Sequence, residues 1–203
     1  MPPTQKGRRT EAAFLDAARQ VFAEKGYFNA KISDIARAAG KSSGSFYNYY
    51  ENKEELLQAL LDQFSTEVLE QSFKHQGGDP EEGVRAAVRA YWTTYRKYLA
   101  EMVGMFQMSM TDEVFAARWR EFRTVGVRAV LAGIKHAEQA GYRTVRRPEL
   151  LASAIVATLD SFCWVWMAAG GEADMDAPTD EDAIETLSAL WYRSVYFHRE
   201  PQD

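Results

Sequence analysis

Residues that usually carry catalysis or bind metals are few in this 203-residue chain, and they are widely spaced. The histidines are His75, His136 and His198, and Cys163 is the single cysteine. No histidine follows a glutamate at the spacing that di-iron helical bundles use, and no glycine-rich phosphate loop follows a predicted strand. One cysteine also excludes a disulfide scaffold and a multi-cysteine zinc site. The sequence therefore predicts no catalytic residue, no metal and no cofactor.

The pattern with the most functional content lies between residues 32 and 50, where two short helices are predicted on either side of a tight turn. Ala36 is small enough to let the helices cross closely, and Gly40 can take the left-handed conformation that the turn requires. Ile35 and Phe46 are suited to fill the space between the helices. This arrangement is typical of a helix-turn-helix, in which the second helix enters the major groove of DNA.

The distribution of charge favours an anionic partner for the amino-terminal part of the chain. Residues 1–60 carry nine Lys and Arg against seven Asp and Glu, whereas the whole chain has a formal net charge of −5. Apolar residues make up 46% and charged residues 26%, as in ordinary globular proteins. No apolar segment of signal-peptide type follows the basic amino terminus. We therefore expect a cytoplasmic protein that makes no contact with a membrane.

Helices are expected to position the motif, because the residues that break helices are few. The chain has six prolines and 13 glycines, and there is no proline between Pro3 and Pro80. Asn52 suits an N-cap with Glu55 completing a capping box, and Pro148 suits the first turn of a helix. The predicted fold class is therefore all-α, with helices at about residues 10–25, 32–39, 44–50, 52–74, 81–100, 112–139, 148–169 and 180–198.

Three linked segments resemble the DNA-binding domain of the TetR-type repressor family, over about residues 8–62. The segments are Phe22–Tyr27, Asp34–Gly40 and Gly44–Leu56. The resemblance implies an all-α homodimer with an amino-terminal three-helix DNA-binding domain and a carboxyl-terminal ligand cavity, where a small molecule causes release from DNA. On this basis we expect a helix-turn-helix domain with a basic amino-terminal arm at residues 1–52, and a ligand-binding and dimerisation domain at residues 53–203.

The resemblance also implies DNA contacts, position by position. At the positions where the family contacts phosphates, this chain has hydroxyl and ammonium groups, which suit phosphate oxygens. The alternative for Tyr47 and Tyr49 is that they are partly core aromatics. The phosphate-contacting candidates are Tyr47, Tyr49 and Lys53. The candidates for reading base edges are Ser33, Ser43, Gly44, Ser45 and Asn48.

Three positions depart from the family pattern. Lys31 stands where a threonine usually caps the second helix, Lys41 replaces an apolar turn residue, and Ser43 stands where lysine is frequent. Lys31 and Lys41 are therefore candidates for additional phosphate contacts. The basic residues of segment 6–9 either reach the minor groove as an arm or form a solvated tail.

Large aromatic and methionine side chains concentrate after residue 60, where they suit the walls of an apolar cavity between helices. Any one of them can equally fill an ordinary core. Asp160 lies in an otherwise apolar helix, either as a polar anchor in the cavity or as a charge at the edge of an interface. We expect a mainly apolar or aromatic effector. The candidate ligand-binding residues are Trp92, Tyr95, Phe106, Met110, Trp119, Phe122, Asp160 and Trp166.

Apolar stripes on the last two predicted helices suit either the core or a second copy of the same helix pair. In the family that the chain resembles, these helices form a four-helix dimer interface. The candidate interface residues are Ile155, Phe162, Leu187, Trp191 and Val195.

These observations together favour a transcriptional regulator. We expect a homodimeric repressor that binds a palindromic operator in double-stranded DNA and that a small, mainly apolar ligand releases. The alternative is a DNA-binding regulator without small-molecule control that acts through a protein partner. A helical-bundle enzyme is the least favoured function, because the sequence offers no ligand set or nucleophile.

Overall fold

A computed structural model describes residues 4–73 and 78–197, and these residues form nine helices. The predicted all-α fold class is confirmed. The helices are α1 (Gln5–Asn29), α2 (Ile32–Ala38), α3 (Ser43–Phe46), α4 (Lys53–Phe73), α5 (Pro80–Lys97), α6 (Leu99–Ser109), α7 (Glu113–Gln139), α8 (Pro148–Met167) and α9 (Asp180–Val195).

The helices group into two compact units. The first unit contains the described residues up to Phe64 together with Tyr98–Ala117, so α6 belongs with the amino-terminal helices. The second unit contains the described residues of Ser65–Lys97 and those from Arg118 onward. The long helices α4 and α7 contribute residues to both units.

Helix α1 begins earlier than the sequence pattern predicts, because Thr4 caps it. The Thr4 hydroxyl accepts a hydrogen bond from the Gly7 amide at 3.1 Å, which satisfies one of the free N–H groups of the first turn. Lys6, Arg8 and Arg9 therefore lie within the first two turns of a helix. The expectation of a frayed tail at these three residues is wrong, and their contact with the minor groove stays a prediction.

The other end of α1 is broken at Gly26, whose φ of 73° and ψ of 158° are not helical. A single helical turn follows, in which Tyr27 is buried and its ring lies edge-on to Phe22. Gly104 of α6 passes so close that a Cβ atom there would lie 2.6 Å from the Cβ of Tyr27. Any larger residue at position 104 would separate α6 from α1.

In the second unit, α5 packs against α9 and α8. The amino terminus of α9 is closed by a capping box, since Thr179 Oγ1 accepts from the Asp182 amide at 3.2 Å and an Asp182 carboxylate oxygen accepts from the Thr179 amide at 3.1 Å. The acidic first turn of α9 also pairs with arginines of α5. Arg85 and Arg89 pair with Glu181, and Arg96 pairs with Asp180.

Helix α8 is long and apolar enough to cross a membrane by length and composition alone. Its buried face packs against α5 and α9 and includes Ala152, Leu159 and Cys163. Only 28% of its most apolar 18-residue window is buried within the described chain. The other face of α8 therefore leaves apolar side chains partly open to solvent.

Candidate nucleic-acid interface

The turn between α2 and α3 has the geometry that the sequence predicts. Gly40 has a φ of 64°, and nothing lies within 4 Å of the position its Cβ would take, so the left-handed conformation alone favours glycine. The Lys41 amide donates to the Ala36 carbonyl at 2.8 Å, which is the long hydrogen bond of a Schellman motif. Ile35 and Phe46 are both fully buried, as expected of residues that join the two helices.

The amino terminus of α2 has no side-chain cap from Lys31, because an ammonium group cannot accept a hydrogen bond. Asp34, three residues later, accepts from the Lys31 amide at 3.4 Å instead. The same carboxylate pairs with Lys25 at 2.8 Å and with Arg37 at 2.6 Å. The Lys25 hydrogen bond is the main reason why the pKa of Asp34 is lowered. Asp34 therefore binds the Lys31 amide, while the Lys31 side chain caps none of the amides of the first turn.

Helix α3 is capped by Ser42, whose hydroxyl accepts from the Ser45 amide at 3.1 Å. Its single buried residue, Phe46, points into the first unit. The polar residues around it stay on the outside, and the turn and the start of α2 add further exposed residues. The exposed candidates for DNA contact are Lys31, Ser33, Lys41, Ser43, Gly44, Tyr47 and Asn48, and Ser45 and Tyr49 are half-buried.

Three tyrosines close together in sequence have different environments. Tyr47 is 57% exposed, with its ring edge against Phe46. Tyr49 is half-buried, and its ring centroid lies 5.8 Å from that of Phe14, so it is partly a core residue as well as a candidate contact. Tyr50 is 4% exposed, and burial raises the pKa of its hydroxyl. Tyr47 therefore has the environment that best suits a phosphate contact.

The start of α4 confirms the predicted N-cap at Asn52, whose side-chain oxygen accepts from the Glu55 amide at 2.8 Å. The Glu55 carboxylate accepts from the Glu51 amide at 2.6 Å. Lys53 is half-buried, and its role in DNA binding stays a prediction. Its ammonium donates to the carbonyls of Tyr27 at 2.7 Å and Ala30 at 3.1 Å, so sequence analysis missed an interaction across 26 residues.

In the second unit, the structure gives Asp160 polar partners that sequence analysis missed. The Tyr91 hydroxyl donates to one carboxylate oxygen of Asp160. Arg123 Nε lies 3.3 Å from the other oxygen, as an ion pair. Burial raises the pKa of Asp160, while Tyr91 and Arg123 oppose that rise. The sequence singles out Asp160 because an acid within an apolar helix is unusual. Nothing near it in sequence indicates its partners Tyr91 and Arg123, which lie on α5 and α7.

The remaining predicted cavity residues have varied environments. Trp92 and Tyr95 are buried, and the Trp92 indole donates to Asp180 at 2.9 Å. Trp119 stacks on Phe122 with ring centroids 5.5 Å apart. Trp166 is half-buried, and its ring lies against Gly171.

Two predicted cavity residues, Phe106 and Met110, belong to the first unit. Met110 is 66% exposed at the end of α6, so it does not line an internal cavity, and its assignment is wrong. An open depression of about 300 Å³ lies elsewhere, after the end of α7, and is lined by Glu138, Gly141, Tyr142, Arg143, Thr144 and Val145.

Three of the five predicted interface residues lie in the core of their own chain. Ile155, Leu187 and Val195 are at most 7% exposed, so they offer no surface to a second copy, and this assignment is wrong. Phe162 and Trp191 are half-buried and keep part of their surface. A periodic stripe cannot distinguish a face that meets the core from one that meets a partner.

Within residues 4–73 and 78–197, no group of three His, Cys, Asp or Glu side chains could hold a metal ion. His75 and His198 lie outside these ranges.

Comparison with known proteins gives consistent results. The family model described as "Bacterial regulatory proteins, tetR family" matches residues 14–60. The chain is 22% identical to the HTH-type transcriptional regulator EthR of Mycolicibacterium smegmatis, over 95% of the chain and 93% of the relative. It is 26% identical to the HTH-type transcriptional repressor AcnR of Corynebacterium glutamicum, over 77% and 81%. A crystal structure of a TetR-family regulator from Rhodococcus sp. shares the fold, with a TM-score of 0.77, 17% identity, and coverage of 93% and 99%.

Proposed function

The chain is a TetR-family helix-turn-helix transcriptional regulator, and we propose that it is a cytoplasmic, homodimeric repressor that a small, mainly apolar ligand releases from a palindromic operator. The observation that carries the DNA-binding part is the arrangement of α2 and α3. Ile35, Ala36 and Phe46 are buried on one side, while the polar residues of α3 remain exposed. A capped short helix with an exposed polar surface can enter a major groove without rearrangement.

The proposed DNA contacts fall into two classes. Ser33, Ser43, Gly44, Ser45 and Asn48 would lie near base edges, since short polar side chains and an amide can read donors and acceptors there. The others would contact phosphates and fix the position of α3 on the duplex, and they are Lys31, Lys41, Tyr47, Tyr49 and Lys53.

Asn48 gives the sharpest test of this division, because an amide can bond bidentately to adenine. We expect Asn48→Ala to change the preferred base at one or two positions of each half-site while leaving the salt dependence of binding unchanged. Lys41→Ala is the matched variant, and it should weaken binding to all sequences and reduce the salt slope. Selection of duplexes from a random-sequence pool by each variant measures both effects. An unchanged preference in Asn48→Ala would contradict its proposed role.

The proposal of a homodimer is supported by the open face of α8 and by α9. Leu150 and Leu190 are 54% and 56% exposed, and Phe162 and Trp191 are half-buried. An isologous pair of these helices would cover this apolar surface, and two-fold symmetry matches a palindromic operator with half-sites about 34 Å apart. Sedimentation of Trp191→Asp should show monomers, because a charge would then enter the interface without a partner.

The proposed effector site centres on Asp160, where α5, α7 and α8 bring polar groups together beside aromatic rings. A mainly apolar ligand with one hydrogen-bonding group suits these surroundings. A panel of apolar metabolites should raise the melting temperature and release DNA, and Asp160→Asn should weaken both effects. Met110→Ala is the control, since Met110 is exposed in the first unit. No response to any compound would favour regulation through a protein partner.

A further inference from the structure

We propose that Glu101 is a proton-responsive switch in the interface between α1 and α6, and that the affinity for DNA falls when Glu101 loses its proton. This inference rests on the proposed DNA-binding function and adds the proton to the small ligand as a second effector. Helix α6 belongs to the first unit and packs against α1, which also packs against α2 of the helix-turn-helix. A change between α6 and α1 therefore reaches the helix that supports the DNA-binding motif.

The Glu101 carboxyl is buried without a full set of hydrogen bonds. The residue is 2% exposed, and no group in the described part of the chain donates to its Oε1 atom. Burying a charged carboxylate without donors is unfavourable, whereas the protonated form carries no charge and loses far less on burial. Burial accordingly raises the pKa of Glu101 to about 7. The packed interface therefore favours the protonated form.

Arg19 of α1 supplies a positive charge that can meet Glu101 once it ionises. This charge already acts on the carboxyl, because it keeps the pKa of Glu101 from rising further. The guanidinium carbon lies 4.9 Å from the centre of the Tyr98 ring, and one guanidinium nitrogen lies 3.8 Å from the Asp16 carboxylate. Among the described residues, none accepts a hydrogen bond from the buried Nε of Arg19. Arg19 therefore has a donor available for an ionised Glu101.

Other titratable groups surround this pair. Asp16 lies beside Arg19 on α1, and Tyr98 is buried directly before α6. Tyr27 is buried against α6, and its hydroxyl donates to Glu54 of α4 at 3.3 Å. Carboxyls and tyrosines in their ordinary range titrate at about pH 4 and about pH 10. A transition at about pH 7 in this interface would therefore identify Glu101.

Ionisation of Glu101 can be accommodated in two ways. Either Arg19 moves from the Tyr98 ring to the carboxylate, or α6 moves away from α1 until water reaches the charge. The interface is too close for a small adjustment, because a Cβ atom at Gly104 would lie 2.6 Å from the Cβ of Tyr27. Both changes alter how α6 holds α1. The arrangement of α2 and α3 that suits the major groove therefore belongs to the protonated form.

The affinity for DNA across a pH series at constant ionic strength tests this switch. The probe is a duplex that the wild-type chain selects from a random-sequence pool. The wild type should bind up to about tenfold more weakly per subunit at pH 8 than at pH 6, because a group with a pKa of about 7 is then mostly deprotonated. Glu101→Gln resembles the protonated form and should lose most of this dependence. Glu113→Gln, at the exposed start of α7, is the matched control and should keep it.

Arg19→Met gives a second readout, which a merely structural role would not change. Loss of the guanidinium should raise the pKa of Glu101 further, so the midpoint of the pH dependence should move to higher pH. Carbon-13 NMR of the Glu101 carboxyl in the DNA-free protein measures this midpoint directly. The amide signals of Gly104 and Tyr27 should shift with the same midpoint, because these residues form the close contact between α6 and α1.

The outcomes separate the switch from the proposed function. Equal pH dependence in Glu101→Gln and the wild type would overturn the proposal, as would a Glu101 carboxyl that titrates at its ordinary pKa of 4.5. An unchanged midpoint in Arg19→Met would overturn the part assigned to Arg19. If Glu101→Gln does not fold, the carbon-13 titrations of the wild type and Arg19→Met decide the question. If the wild type selects no duplex, the proposed function fails, while the carbon-13 titration still tests the switch.

Discussion

Polar side chains have different environments in the helix-turn-helix and in the region where α5, α7 and α8 surround Asp160. Around α3, burial of Ile35 and Phe46 leaves serines and an asparagine exposed at the surface. In the second region Asp160 is already paired, with the Tyr91 hydroxyl and the Arg123 guanidinium. The first region can meet a partner without losing internal contacts. A ligand that reaches Asp160 must replace interactions that the protein already makes, so binding there is tied to rearrangement.

The largest effect should come from the packing that exposes the α3 surface. Phe46→Ala removes a fully buried ring, and we expect it to lower the free energy of unfolding of the first unit by about 3–5 kcal/mol and to abolish specific DNA binding. Urea denaturation and a binding titration measure the two effects. The exposed neighbour Tyr47→Ala is the control, which should weaken DNA binding with little loss of stability. Equal free energies of unfolding for Phe46→Ala and the wild type would contradict the claim that burial of Phe46 stabilises the first unit.

A smaller effect, dependent on pH, should come from Glu101 on α6. This residue is 2% exposed, and burial raises the pKa of its carboxyl to about 7, with Arg19 of α1 opposing the rise. The folded state therefore holds the proton more tightly than the unfolded state. The stabilisation is complete below the ordinary pKa near 4.5 and is lost as pH rises toward 7.

Glu101→Gln cannot ionise, so its stability relative to the wild type should rise between these pH values and then level off. The difference should reach at most about 3 kcal/mol, from the size of the pKa shift. Thermal or urea denaturation at pH 4.5, 6 and 8 measures it. Glu11→Gln, at a half-buried position of α1, is the control. A constant difference at all three pH values would show that Glu101 is not the titrating group.

The ion pair in the second region should give the smallest effect. Arg123→Met leaves Asp160 with Tyr91 alone, and because Arg123 is 25% exposed we expect a loss of only about 2 kcal/mol. Adding Asp160→Asn should recover part of that loss, since no unpaired charge then remains. A double-mutant cycle in urea denaturation tests this coupling. Additive effects of the two substitutions would mean that the pair is not coupled.

Sequence analysis succeeded where the signal lies within a few residues. The left-handed turn at Gly40, the cap at Asn52 and the helix start at Pro148 depend on local hydrogen bonding and backbone conformation, which short spacing reveals. It also identified the buried pair Ile35 and Phe46, because the motif fixes their positions.

Sequence analysis failed where the partner is distant along the chain. The carbonyls held by Lys53 and the partners of Asp160 come from other helices, and nothing local indicates them. Ile155 and Leu187, from the apolar stripes of α8 and α9, were chosen as interface residues, although both meet their own core. Amphipathic spacing shows that a face is covered, and only tertiary packing shows what covers it.

The most direct test is to sequence the duplexes that the purified wild-type chain retains from a random-sequence pool, and to measure the mass of the resulting complex. A repressor of this design should enrich a palindromic motif whose half-sites lie about one helical turn apart, with two chains bound as a dimer. Retention that depends on salt alone, with no enriched motif, would contradict sequence-specific regulation by this protein.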